Sequence, residues 1–356
     1  MYEQILQISN WYKALSLKER IALLRKVKHK KCNETINTEK AQRRMQQWRE
    51  QSQLTTNSYW NQRLEVDGIT EKELLYCLDE TNEAIYNHFS SPPGWLESIQ
   101  QAFNNSEFQK LFSLEKLQDR EIHGFLYPIE ALISQGYEQL QKGIERLIQK
   151  QSNLPFNPSN VIQILFTHLP EQLLEILNRT MVLELNVARL QGLLQEDTPE
   201  ERFQSFLEQL QKHERGLEFL QEYPVLARQI QICIDQWVRF SLEFLQHLCN
   251  DWDEIQTKFS REGTTEILTA LQWGAGDSHR DGRSVLIAEF SSGFQLVYKP
   301  RSLAVDVHFQ ELLIWLNNKG NHPPFKILKV LDCGSYGWVE FVQYNECNTI
   351  QEVELF

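Results

Sequence analysis

The chain lacks a long apolar run, is sparing in cysteine and has no excess of positive charge, and each shortage closes off a class of protein. No stretch approaches the roughly 20 apolar residues that a helix needs to cross a bilayer. The start, MYEQILQISNWYK, lacks the basic segment and apolar centre of a secretory signal. A cytoplasmic location is therefore expected. The six cysteines (Cys32, Cys77, Cys233, Cys249, Cys333 and Cys347) are scattered without the paired spacing of a zinc site, and a disulfide scaffold would be smaller and denser in cysteine. They read as small, partly buried hydrophobes in a reducing compartment. The formal net charge of -12 argues against a nucleic-acid protein, because neutralising phosphates generally makes such a domain basic. No repeat of fixed period is visible, which disfavours a solenoid.

What is present is globular and mostly helical: 41% of residues are hydrophobic and 11% aromatic, and 356 residues suffice for two domains with real cores. Helix-start chemistry recurs at Ser16/Glu19, Thr70/Glu73 and Thr198/Glu201, each a capping box ahead of apolar periodicity. The third has Pro199 at the first helical position, and Phe203, Phe206, Leu207 and Leu210 continue the pattern towards Pro224, predicting one helix of roughly six turns. Similar patterns cover residues 170–194 and 225–259, while Asn153, Pro155, Asn157 and Pro158 mark an interior break. The basic run LKERIALLRKVKHKK, Leu17 to Lys31, reads first as a solvated helix face and second as a docking surface for an acidic peptide.

The tail has a different grammar. Ser284 to Phe290 and Phe294 to Lys299 flank the turn residues Ser291, Ser292 and Gly293, which predicts a β-hairpin with Lys299 facing away from Leu296 and Tyr298. Pro300 ends that strand, and apolar residues from Leu303 to Asn317 recur at helical spacing. A second hairpin follows, Phe325 to Leu331 and Trp338 to Val342, about the turn Gly334-Ser335-Tyr336-Gly337. A glycine-containing loop, a strand lysine and a helix offering a carboxylate form the nucleotide-binding lobe of kinase-like folds. The lysine contacts anionic phosphates and a carboxylate holds it in register; Glu311 is the carboxylate expected from spacing. The loop GAGDSHRDG matches neither a Walker A sequence nor GxGxxG.

The stretches GDSHRDGRSVLIAEFSSGFQLVYKPRSLAVDVHFQELLIWLN and KVLDCGSYGWVEFV resemble the dehydratase region of class II lanthipeptide synthetases. The upstream RTMVLELNVARLQGLLQEDTPEERFQSFL, EYPVLARQI, HGFLYPIEALI and PPGWLESI resemble the same family. The resemblance implies an enzyme that binds a precursor peptide through its leader, phosphorylates Ser and Thr with ATP and Mg²⁺, and eliminates phosphate to leave dehydroalanine or dehydrobutyrine. It also implies that Asp277 and His279 are the catalytic Asp-x-His pair, that Lys299 contacts the nucleotide, and that zinc belongs only to a separate cyclase domain. The fold expected is α+β: a large helical region, residues 1–262, then residues 263–356 as a partial, lipid-kinase-like nucleotide-binding lobe.

The family's Asp-x-His-x-x-Asn loop and second metal-binding Asp do not occur before Phe356. The expectation is thus a truncated chain, inactive alone, with lobe-facing apolar residues such as Trp338, Phe341 and Val342 left bare. The alternative is a non-enzymatic leader-binding remnant.

Overall fold

The computed structural model describes residues 9–27, 38–52, 56–104, 121–151, 153–259, 266–274, 282–320, 323–343, 347 and 349–355. They form helices α1 (Leu17–Val27), α2 (Thr38–Gln51), α3 (Asn57–Val66), α4 (Glu71–Asp79), α5 (Asn82–Tyr86), α6 (Gly94–Asn104), α7 (Glu130–Lys150), α8 (Val161–Phe166), α9 (Leu169–Leu190), α10 (Pro199–Leu210), α11 (His213–Glu222), α12 (Pro224–Asn250) and α13 (Trp252–Phe259). Strands β1 (Leu268–Gln272), β2 (Leu286–Phe290) and β3 (Gln295–Lys299), helix α14 (Ala304–Asn317), strands β4 (Val330–Asp332) and β5 (Gly337–Glu340), and helix α15 (Ile350–Leu355) complete the order.

The chain divides into two compact units, and the division does not follow the boundary expected near residue 262. Among the described residues, one unit takes those up to 104, 121–131 and 176–232; the other takes 132–175 and those from 233 on. The reason is burial. The sheet has an aromatic face that must be covered, and Phe240, Phe244 and Trp252 supply the cover from the helical part of the sequence.

In the first unit, Ile21, Leu24, Met45, Trp60, Leu64, Ile69, Leu74 and Cys77 build one core. All three capping boxes form: Ser16 with Glu19, Thr70 with Glu73 and Thr198 with Glu201. Two arginines of the described part of the basic run bond within the fold. Arg25 donates to Glu73 (3.2 Å) and to the Gly68 carbonyl (2.5 Å), and Arg20 donates to the Cys77 and Tyr12 carbonyls (both 3.4 Å).

The long helix expected from Pro199 to Pro224 is two helices, broken at Gln211 and Lys212. Both halves pack on the 3-10 segment Glu121–Ile129, and a Cβ on Gly216 would collide with the Pro128 carbonyl. One straight rod cannot lay both halves against that short segment.

In the second unit the sheet is fully antiparallel in the order β1-β2-β3-β5-β4. The first hairpin forms as expected, with Gly293 at φ +81° in its turn. The second is shorter than expected: regular pairing begins at Val330, while 325–329 run alongside as irregular chain. The loop before α8 touches the sheet edge, where Leu268 N–H donates to the Pro155 carbonyl at 2.8 Å.

Candidate functional site

Strand β3 alternates strictly, with Leu296 and Tyr298 buried on one face and Gln295, Val297 and Lys299 half-buried on the other. Register puts Tyr298 opposite Trp338, and Lys299 opposite Gly337, which in turn lies opposite Asp332. The face bearing Lys299 carries a small aliphatic core of Leu303, Val330 and Val339, with Val297, Val307 and Leu328 against it. Gly337 is obligatory here, because a Cβ would overlap the Leu331 carbonyl and the Leu303 side chain. Asp332 reaches across and accepts from the Leu303 N–H (2.9 Å) at the start of α14, where the Ser302 hydroxyl also accepts from the Ala304 N–H (3.3 Å).

That start places the first turn of α14 beside Lys299. The ammonium donates to Asp306 Oδ1 at 3.2 Å, and Arg301 donates to Asp306 Oδ2 at 2.8 Å and to Oδ1 at 3.3 Å. Lys299 and Asp306 are only 25% and 20% exposed. Burial alone would raise the Asp306 carboxyl, but hydrogen bonds and charge from Arg301 and Lys299 outweigh it and hold it below the usual carboxylate value.

The carboxylate beside Lys299 is therefore Asp306, whereas spacing suggested Glu311. Glu311 is 65% exposed and pairs with His308 Nδ1 at 3.0 Å. Five residues along a helix amount to about 140° of rotation, so Asp306 and Glu311 cannot face the same point. Position in the helix was the available signal, since an acidic side chain in the first turn also complements the helix dipole. Asp277 and His279 lie outside the described residues, as does Cys32.

Where the described chain resumes after them it is firmly attached. Gly282, at φ +80°, lies against Gln236, and Arg283 makes a two-pronged pair with Glu243 (2.6 and 2.9 Å).

The opposite face of the sheet is aromatic and polar at once. Tyr298 and Trp338 are fully buried against Phe240 and Phe244. His247 Nδ1 shares a 2.8 Å hydrogen bond with the Tyr298 hydroxyl, and its ring stacks on Tyr336 at 3.5 Å. Asp251 accepts from Trp338 Nε1 (2.8 Å), the Tyr336 hydroxyl (3.3 Å) and Cys333 Sγ (3.5 Å). Burial pushes the His247 imidazole down and the Tyr298 phenol up, and it raises the Cys333 thiol to about 12 with help from Asp251.

Trp338 is thus not among the bare residues expected. Val342, also expected to be bare, is exposed, as are Val305, Phe309, Leu312, Ile314 and Trp315 on α14.

The corner of β3 and α14 has the composition of an oxyanion site: a lysine and an arginine aligned by one shared carboxylate. Nucleotide phosphates fit it, since the two cations exceed that carboxylate by one charge and Arg301 is half exposed. Among the described residues no group of three His, Cys, Asp or Glu is placed to hold a metal ion.

Residues 223–356 match the family model described as Domain of unknown function (DUF4135). The chain is also similar to the Lacticin 481/lactococcin biosynthesis protein LcnDR2 of Lactococcus lactis subsp. lactis, at 25% identity over 190 residues, covering 51% of this chain and 20% of the relative. The alignment thus spans about one fifth of that relative's length. Among the described residues no helix is long and apolar enough to cross a membrane.

Proposed function

We propose that this chain carries the phosphate-binding lobe of a lanthipeptide-modifying enzyme, with a kinase-like arrangement in which Lys299 and Arg301 hold the phosphates of ATP. The observation that carries this reading is the shared Asp306 carboxylate, which fixes two cations at the end of β3. The similarity to a lacticin 481 biosynthesis protein supports a precursor peptide as substrate.

In the reaction that the resemblance implies, a Ser or Thr hydroxyl oxygen attacks the γ-phosphorus and ADP leaves. A base then takes the Cα proton of the phosphorylated residue while phosphate departs, leaving the Cα=Cβ double bond. Lys299 and Arg301 serve the first step by neutralising phosphate charge, and Asp306 keeps the lysine from wandering in the absence of nucleotide. Asp277 and His279 enter only through the resemblance, as groups near the transferred phosphate.

Binding of a fluorescent ATP analogue tests the assignment. Affinity should fall in the order tri-, di- and monophosphate, and Lys299→Met should weaken the triphosphate by roughly tenfold or more. An unchanged affinity in a folded Lys299→Met protein sinks the reading.

A further inference from the structure

The break between α10 and α11 opens a groove of about 350 Å³. Its floor is apolar: Val187 and Ala188 from α9, Leu193 just beyond it, Phe206 and Leu210 from α10, and Phe219 from α11. Its rim is acidic, with the carboxylates of Glu184, Glu218 and Glu222 against the single guanidinium of Arg215.

The groove continues into an exposed apolar stripe. Leu183, Val187 and Leu190 recur at i, i+4 and i+7 on α9, and Leu183 and Leu190 are 52% and 80% exposed while Val187 lines the groove. Single exposed leucines need no explanation, but an exposed stripe running into an apolar concavity marks a docking surface. One wall is held rigid by the Tyr223 hydroxyl, which donates to Glu184 Oε1 at 2.5 Å; burial and that carboxylate both push the phenol up.

We infer that this groove binds a short amphipathic peptide segment whose apolar side chains fill the floor and whose lysines or arginines meet the three rim carboxylates. The charge balance selects the occupant. An acidic segment would bring like charges to Glu184, Glu218 and Glu222, and a neutral apolar one would leave them unanswered. The inference does not depend on nucleotide chemistry at Lys299, and the two fail separately.

The probe is a fluorescein-labelled peptide with leucines at helical spacing and lysines between them, beside a twin in which glutamates replace the lysines. Anisotropy with the whole chain should show the lysine peptide binding at least about tenfold more tightly than its twin, with an affinity that falls as salt rises.

Replacing Glu184, Glu218 and Glu222 together by glutamine should remove most of that preference, and Val187→Trp should abolish binding by filling the floor. Both variants should keep the circular dichroism spectrum and ATP-analogue affinity of the parent. Equal binding of the two peptides, or binding untouched by both variants, overturns the inference. So does concentration-dependent self-association in sedimentation that Val187→Trp removes, since the groove's occupant would then be a second copy of the chain.

Discussion

Asp251 is the most consequential single acceptor in the sheet-bearing unit. It takes hydrogen bonds from three residues of the second hairpin, Cys333, Tyr336 and Trp338, and so ties that hairpin to the helices beneath it. Truncation to alanine leaves the indole N–H of a fully buried tryptophan without a partner. An orphaned buried donor costs about 1–3 kcal/mol, and a hydrogen bond to a charged acceptor contributes about 1.5–3 kcal/mol; as the two overlap, the change should cost about 3 kcal/mol. Hydrogen exchange read by mass spectrometry on residues 330–340 should then accelerate by about two orders of magnitude.

Two companions sharpen the test. Asp251→Asn keeps an oxygen for the indole and should lose only about half as much. In a Trp338→Phe background no N–H is stranded, and Asp251→Ala should cost about 1 kcal/mol. If Asp251→Ala changes exchange in this segment by less than about threefold, or costs the same in both backgrounds, the account of how the hairpin is anchored is wrong.

Two further outcomes follow from the geometry. Gly337→Ala should destabilise by about 1–3 kcal/mol and, if the proposed site is right, lower ATP-analogue affinity, because the methyl must displace the Leu331 carbonyl or Leu303 beside Lys299; thermal unfolding with the same binding assay checks both. Glu73 is held at about 2, below its ordinary 4.5, by hydrogen bonds from Arg25 and the Thr70 backbone. A depressed carboxyl stabilises fully above its ordinary value and loses that contribution as pH falls towards the folded one. Glu73→Ala should therefore cost about 1–2 kcal/mol at neutral pH, and its melting deficit relative to the parent should narrow as pH drops from about 4.5 towards about 2. A deficit independent of pH would contradict the assignment.

Local chemistry was legible in the sequence wherever it acts over a few residues. The three capping boxes, the turn at Gly293 and the alternation that separates Lys299 from Tyr298 depend on neighbours in the chain, and all three are found. Long-range covering was not legible. Nothing around Phe240 or Phe244 states that these side chains belong under β3, so the boundary expected near 262 and the bare surface expected at Trp338 both differ from what is found. The break at Gln211 and Lys212 was hidden for a similar reason: neither residue is a helix breaker, and its origin lies in the partner segment around Pro128. At the corner of β3 and α14, spacing along the sequence pointed to the helix that lies beside Lys299 but to its second turn, because the tight passage through Pro300 to Ser302 delivers the first turn to Lys299.

The strict alternation along β3 has a bearing on how far this region can vary. A slip of one residue would drive the Lys299 ammonium in among Phe240, Phe244 and Trp338 and turn Tyr298 out to water. The aromatic packing on one side of the strand thereby acts as a locating pin for the charge on the other. Changes that merely loosen Tyr298 should be felt at Lys299 before they are felt in overall folding, so the tolerance of the cationic corner is set by residues that never touch it.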